Sequence, residues 1–366
     1  MKKTLLHVFP TFAVGGAQMR FVQLANHFGR HYRHKIVSMN GNIDAYAKLS
    51  PDLDVQLIDV PVKKGKTWTN LKIFRGVLKD LRPDLLVTSN WGSIEWSMAN
   101  FDGMTRHLHM EDGFGPEEIT QQLTRRVLTR RITLRRSIVM VPSMTLHKIA
   151  RTIWKLPTRC LLHIPNGVDC LRFGGEPDLE FTASHGIKGE SPVIGTVATL
   201  RAEKNLKRLI EAFADVIRHQ SARLVIVGDG PDLSDLKTLA EELGITEHII
   251  FTGACGQPEK LLPSFTVFAL SSDTEQMPLS ILEAMAAGLP IASTDVGDVR
   301  NMVSEENRTF MVGRESVTLA AAILVLLANP DQRRKIGEAN SLRARTVYDQ
   351  SNMFAAYGRV FDGDLS

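Results

Sequence analysis

The chain has 366 residues, 43% of them apolar and 23% charged, with a formal net charge of +4. That length is comfortable for two domains, the composition excludes a disordered chain, and no apolar run reaches the roughly 20 residues of a membrane span. Cys160, Cys170 and Cys255 are odd in number and lack metal-ligand spacing, so the chain reads as cytosolic with reduced thiols and no metal.

The first segment, "MKKTLLHVFPTF", has a short apolar run and no small-residue cleavage pattern, so it reads as a β-strand rather than a signal peptide. Further strands are expected at "HKIVSM", "DVQLID", "DLLVTS", "RHLHM" and "SIVMVP", then at "PVIGTVA", "ARLVIVG", "HIIFTG", "TVFALS" and "PIAST". Helical patterns fill the gaps. Such alternation predicts an α/β protein with parallel sheets covered on both faces, in two Rossmann-like domains. The stretch from Gly174 to Pro192 is rich in Gly, Ser, Pro and acids and marks the boundary, giving an N-terminal domain over 1–180 and a C-terminal domain over 181–345. The tail, 346–366, returns to a helical pattern with Phe354, Tyr357 and Phe361 on one face.

Four loops have residues suited to chemistry. In "FPTFAVGGAQM", Gly15 and Gly16 sit between a strand and a helix, where glycine lets backbone approach a ligand and a helix N-terminus favours negative charge. A plain tight turn reads equally well, and the pattern is not GxGxxG. In "TRHLHMEDGFGPEE", His107 and His109 share one strand face, and Glu111, Asp112, Gly113 and Gly115 follow. His109 lies nearest the strand end, where open sheets bind ligands, although a structural histidine is the alternative. In "GTVATLRAEKN", Arg201 and Lys204 precede a helix and suit a phosphate, or are merely exposed loop charges. In "TEQMPLSILEAM", proline favours the first helical turn, so a helix is expected from about Pro278, with Glu275 in the loop before it and Glu283 inside it. Free N–H groups around Met277, Leu279 and Ser280 suit an anion, and carboxylates on either side suit hydroxyl groups. A loop acid plus a paired helix acid is the other reading.

Basic residues concentrate in "LTRRVLTRRITLRRS", with Arg125, Arg126, Arg130, Arg131, Arg135 and Arg136. This is either a solvated helix face or a contact with an anionic membrane surface through Arg125, Arg126, Arg130 and Arg131. No nucleic-acid motif accompanies it.

Taken in order, the "GGAQ" loop, "VPS", "IPNGVDCLRF", "EKN", "LVIVGDGP", "FTG" and "SSDTEQMPLSILEAMAAGLPIASTDVG" resemble retaining glycosyltransferases of the GT-B fold, in the group 1 family (family four). The resemblance covers nearly the whole chain, and its most specific element is the pair Glu275 and Glu283, separated by seven residues. It implies two Rossmann-like domains facing across a cleft and a C-terminal helix crossing back to the first domain. It also implies a UDP- or GDP-sugar donor, a saccharide or lipid-linked acceptor, no cofactor, and a cytoplasmic enzyme peripheral to the inner face of a membrane.

Carried over by position, the resemblance places Lys204 on the pyrophosphate, Glu283 on the ribose hydroxyls, and Glu275 beside the sugar or diphosphate. Backbone from Met277 through Pro278 and Leu279 to Ser280 cradles the phosphates, and Gly16 approaches them from the first domain. His109 is the match to the first-domain histidine near the transferred sugar, with His107 and Glu111 as alternatives. The chain departs from the family at Thr199, where an arginine is frequent and Arg201 is the candidate replacement. Gln276 stands where glycine is usual, and Gln18 where glutamate is frequent. The alternatives are a nucleotide-sugar epimerase or hydrolase of the same fold, or a nucleotide-sugar-binding protein without catalysis. A dehydrogenase is disfavoured by the missing fingerprint glycines.

Overall fold

The computed structural model describes residues 2–114, 118, 122–189 and 191–364. Contacts divide the chain into two units, Met1–Pro165 with Phe354–Ser366, and Asn166–Met353. The break thus falls at Pro165, upstream of the Gly174–Pro192 stretch. That stretch contains a short helix capped by the Asp178 side chain, so its polar composition reflects capping rather than a linker.

The first unit is built on an all-parallel sheet of β1 (Lys3–Phe9), β2 (Tyr32–Ser38), β3 (Val55–Leu57), β4 (Leu85–Ser89), β5 (His107–Met110), β6 (Ile138–Val141) and β7 (Leu161–His163). Their order is β3-β2-β1-β4-β5-β6-β7. Crossovers include α1 (Gly16–Phe28), α2 (Thr67–Leu81), α3 (Ile94–Ala99), α4 (Thr124–Thr133) and α5 (Met144–Thr152). The second unit has β8 (Val193–Val197), β9 (Arg223–Val227), β10 (Ile249–Gly253), β11 (Val267–Leu270), β12 (Ile291–Thr294) and β13 (Met311–Val312), in the order β10-β9-β8-β11-β12-β13. Its helices are α6 (Cys170–Phe173), α7 (Leu179–Ser184), α8 (Leu206–Ile217), α9 (Leu233–Glu242), α10 (Leu279–Ala286), α11 (Val299–Met302), α12 (Ser316–Ala328) and α13 (Pro330–Val347); α14 (Gln350–Asp362) is the last described helix.

The apolar runs that mark strands are buried as parallel strands require. Leu224 to Val227 of β9 and all of β11 are inaccessible to solvent or nearly so. Two strands escape sequence reading, β7 with three residues and β13 with two, because neither is long enough for a pattern. Helix α8 buries Leu206, Leu209, Ile210, Phe213 and Val216, an i, i+3, i+4, i+7 stripe that packs against α12. The apolar block Leu319–Ala328 lies within α12, and no described helix is long and apolar enough to cross a membrane. The tail aromatics Phe354, Tyr357 and Phe361 are all buried on one face of α14. Phe354 stacks on His27, and the Tyr357 hydroxyl lies 3.3 Å from Met140 Sδ.

In each sheet the strand order reverses beside the first strand, between β1 and β4 and between β8 and β11. Loops leaving the carboxyl ends of those neighbours diverge to opposite faces of the sheet and leave a crevice, the usual ligand position in open α/β sheets.

Candidate functional site

At the second switch point, the β8 loop ends in a 3-10 turn over Ala202–Lys204, and the β11 loop runs through Ser271–Pro278 into α10. The two loops are bonded together. The Asp273 N–H donates to the Glu203 carbonyl at 2.9 Å, and Ser271 Oγ donates to the Lys204 carbonyl at 3.0 Å. Arg208 donates to the Ser271 carbonyl at 2.6 Å and to Asp273 Oδ1 at 2.7 Å. Asn205, left-handed at φ 42°, caps α8 and donates to Asp273 Oδ2 at 3.0 Å. This scaffold sets Lys204 Nζ 2.6 Å from Glu275 Oε1, which also accepts from Ser272 Oγ at 2.8 Å. The Lys204 and Glu275 side chains are 24% and 10% exposed, so the pair is reachable from solvent.

The peptide after Glu275 is held from behind. Gly297 has φ +56°, and a Cβ there would lie 2.3 Å from the Glu275 carbonyl oxygen and 2.8 Å from that of Gln276. The Asp298 N–H donates to the Gln276 carbonyl at 3.0 Å, and Asn166 Nδ2 donates to the Met277 carbonyl at 3.0 Å. Met277 itself is buried. With those carbonyls engaged, α10 begins at Leu279, one residue after the expected Pro278, and no side chain caps it. Its first N–H groups carry the positive end of the helix dipole. Ser280 and Leu279 are half-buried there, and Arg201 and Thr199 are exposed on the β8 loop.

Glu283 does not join the Lys204–Glu275 pair. It is half-buried on α10, and its side chain makes no hydrogen bond or ion pair with described residues. Burial pushes its carboxyl up to about 7, opposed by Arg172 and reinforced by Glu259. Those two neighbours pair with each other at 2.8 Å. Sequence reading missed Ser272, Gly297, Arg172 and Glu259 as parts of the site. Ser272 and Gly297 lay within quoted motifs, as did Arg172, but only the fold brings them to the two glutamates.

In the first unit, Gly15 is extended at φ −170° and Gly16 opens α1, so neither needs glycine for its backbone. A Cβ on Gly16 would meet nothing within 4 Å, whereas one on Gly15 would meet Gln18 Oε1 at 2.9 Å. Gln18 turns back to donate to the Thr11 carbonyl at 2.8 Å. The tight-turn reading therefore explains neither glycine. At the end of β5, His109 is fully buried. Its Nδ1 lies 2.8 Å from Thr88 Oγ1 and its Nε2 lies 3.5 Å from Glu111 Oε2. His107 lies 2.8 Å from the same Thr88 hydroxyl and 2.7 Å from Ser137, and burial, then His109, lowers it to about 3. In this arrangement His109 presents no face to a ligand. Asp112 leaves the cluster and pairs with buried Arg20 at 2.6 Å. Gly115 lies outside the described residues.

The arginine run corrects an expectation. Arg130 is fully buried, with Nε 3.1 Å from Glu111 Oε2 and Nη1 3.2 Å from Glu118 Oε1. Its guanidinium lies 5.0 Å from the Trp91 ring and 4.9 Å from the Trp154 ring. Arg126 pairs with Glu118 at 3.0 Å and also covers Trp91. Arg130 is not available to an outside surface, and the Arg126 side chain is 14% exposed. Arg125 and Arg131 are exposed. Helical periodicity turns the run inward at 126 and 130, four residues apart, where two buried glutamates receive it.

The family model "Glycosyl transferases group 1" matches residues 178–343, within the second unit. A GDP-mannose-dependent alpha-(1-6)-phosphatidylinositol monomannoside mannosyltransferase of Mycolicibacterium smegmatis is 31% identical over 198 residues, 50% of this chain and 51% of that protein. The alpha-monoglucosyldiacylglycerol synthase of Streptococcus pneumoniae is 29% identical over 177 residues, 46% of this chain and 40% of that protein. The chain thus spans about half the length of the curated relatives it matches. Among solved structures, Anabaena Alr3699/HepE in complex with UDP-glucose superposes with a TM-score of 0.83 at 17% identity, covering 98% of this chain and 99% of that one. A glycosyltransferase from Rickettsia africae gives 0.82 at 17% identity, over 100% and 99% of the two chains. The fold is GT-B, with two Rossmann-like α/β units.

Proposed function

We propose that this chain transfers a glycosyl group from a nucleotide-diphosphate sugar to a hydroxyl acceptor, with retention at the anomeric carbon, in polysaccharide or glycolipid assembly. The observation that carries the reading is the Lys204–Glu275 pair at the β8/β11 switch point, 2.6 Å apart and open to solvent. Lys204 meets the diphosphate, aided by Arg201 and by the uncapped N-terminus of α10 from Met277 through Ser280. Glu283, with no described partner of its own, accepts hydrogen bonds from the ribose hydroxyls. Glu275 aligns the sugar or its diphosphate while Ser272 holds the carboxylate in place. Gln276, where the family usually has glycine, reaches the same region. Gly16, which no packing contact explains, leaves room for ligand at the carboxyl edge of the first sheet.

The bond from the anomeric carbon to the diphosphate oxygen breaks, and its electron pair stays on the diphosphate. Preorganised cations and N–H dipoles lower the energy of that growing charge without needing a metal. The acceptor oxygen then bonds to the oxocarbenium-like carbon on the face the diphosphate left, and its proton passes to a leaving-group oxygen. The UDP-glucose named for the HepE structure and the GDP-mannose named for the mycobacterial relative make UDP- and GDP-sugars the donors to try first. A thermal-shift screen of nucleotide sugars, followed by product analysis with the best donor, tests the reading. Release of free sugar alone, whatever acceptor is supplied, would overturn it, and so would loss of activity on metal chelation for the metal-free scheme.

A further inference from the structure

Helix α6 is a single turn, and the chain fixes it at both ends. Asp169 caps it by accepting from the Arg172 N–H at 3.0 Å. Cys170 and Phe173 are buried. Gly174 closes the turn against α10, where a Cβ on Gly174 would lie 3.5 Å from the Ala286 carbonyl oxygen. Ala286 is three residues beyond Glu283, on the same side of α10.

Arg172 leaves this turn as a half-exposed cation, yet it does not bond to Glu283. Its Nη2 donates to Glu259 Oε2 at 2.8 Å, 87 residues away in sequence. Glu259 belongs to a 3-10 turn, Pro258–Lys260, that packs against α6. The adjacent Lys260 turns to Asp178 at 3.2 Å. An acid without a partner thus stands beside a cation that another acid holds.

The other elements packed on α10 engage their charges elsewhere. Helix α13 turns Ile336, Gly337, Asn340 and Ala344 inward. Its Arg343 donates to the Met302 and Asn301 carbonyls, and Arg345 acts on Cys170. Arg300 of α11 pairs with Asp295 at 2.7 Å. Strand β12 has only Ile, Ala, Ser and Thr. On α6 itself, burial pushes the Cys170 thiol up to about 12, so it is neutral. Among the described residues, the charges that act on Glu283 are Arg172 and Glu259, of opposite sign, against a background of burial.

We propose that Arg172 and Glu259 are positioning residues for the nucleotide site: by bonding to each other they hold the guanidinium off Glu283 and so govern when its carboxylate forms. This role rests on the assignment of Glu283 to the ribose hydroxyls made above. A direct Arg172–Glu283 pair would ionise the acid but occupy its oxygens. With Arg172 turned to Glu259, those oxygens stay open to hydroxyl donors. Burial then leaves Glu283 partly protonated at neutral pH, its carboxyl at about 7. Nucleotide capture breaks the carboxyl O–H bond, its electron pair stays on the carboxylate, and the proton passes to water. Neutralising Glu259 frees the guanidinium for Glu283, so the carboxylate forms at lower pH; neutralising Arg172 does the reverse.

Carbon-13 NMR of the full chain, labelled at the glutamate carboxyls and assigned with Glu283→Gln, reads this charge directly. The Glu283 midpoint should rise in Arg172→Gln and fall in Glu259→Gln, each by about one pH unit. Both variants keep the α6 cap, which uses the Arg172 backbone N–H. A purely structural contact would shift both midpoints the same way or neither, and either result overturns the proposal. Calorimetry with UDP and GDP, in two buffers of different ionisation enthalpy, should show proton release on binding below pH 7. That release should vanish in Glu283→Gln, and the affinity profiles of the two charge variants should move with their NMR midpoints. Opposite NMR shifts that leave nucleotide affinity untouched would uphold the charge relation and overturn the ribose assignment it serves.

Discussion

Lys204 Nζ and Glu275 Oε1 stand 2.6 Å apart, from two loops that leave neighbouring strands 71 residues apart in sequence. A cation at this switch point is neutralised by its partner until a more negative group arrives. Under the proposed donor reading, a diphosphate competes with Glu275 for Lys204 and then shares it. Lys204→Ala is expected to reduce transfer by about a hundredfold or more, the scale seen when a preorganised donor to developing charge is removed. Because the pair is partly exposed, the melting temperature should move little. Unchanged kinetics in a folded Lys204→Ala protein would sink the donor-site assignment.

Glu283 gives a pH signature. Its carboxyl is raised to about 7 by burial, so at pH 6 the folded, unliganded protein holds it protonated. Hydrogen bonding to two ribose hydroxyls needs the carboxylate, so nucleotide affinity should rise with pH through about 7. The folding linkage has the opposite sense. A raised carboxyl favours the folded state below its unfolded value of about 4.5, and that stability is lost as pH climbs towards 7. Glu283→Gln should flatten both profiles, and calorimetric titration of UDP or GDP across pH 5.5–8.5 reads the first. A pH-independent affinity in the parent chain would remove Glu283 from the nucleotide site.

Gly297→Ala should damage the site through backbone alone. The added methyl meets the Glu275 and Gln276 carbonyl oxygens, and alanine is strained at φ +56°. A loss of about 1–3 kcal/mol in stability is expected, with a rise in donor KM as the Glu275 loop shifts. Wild-type KM and melting temperature together would show that the loop does not depend on this contact.

Arg130 and Arg131 are adjacent in sequence and opposite in consequence. Arg130→Ala leaves Glu111 buried without its arginine and Glu118 with Arg126 alone and should cost about 3–5 kcal/mol, whereas Arg131→Ala should stay within about 0.5 kcal/mol. Urea denaturation of the two variants distinguishes them. Equal, small effects would mean that Arg130 does not hold the two buried acids.

The first unit also has an acid-sensitive point. His7 Nε2 and His34 Nδ1 are 3.1 Å apart in a buried aromatic cluster. Burial lowers His34 to about 4, and burial with the neighbouring His34 lowers His7. Both are neutral in the fold, so stability is whole above the unfolded value of about 6.5 and falls as pH drops towards 4. The His34 contribution is on the order of 3 kcal/mol. His34→Gln should remove that part of the pH dependence of the melting temperature between pH 6.5 and 4. A parallel slope in parent and variant would show that His34 is not the group responsible.

The sequence by itself determined the alternation of strands and helices, because long parallel strands must be continuous apolar runs and their crossovers must be amphipathic. It also placed Glu275 before a helix and Glu283 inside it, since proline stops one element and opens the next. Local pattern cannot say which residue faces in when a run is uniformly charged. Six arginines read alike, yet the fold buries Arg130 between two carboxylates and leaves Arg131 in water. Nor can it say that His109 is enclosed by Thr88 and Glu111, because each burial depends on neighbours from other strands. Only the tertiary structure decided that Lys204 meets Glu275, that Gly297 backs the same peptide, and that Glu283 stands apart beside Arg172 and Glu259. Those relations are long-range packing and charge, which act through space rather than along the chain.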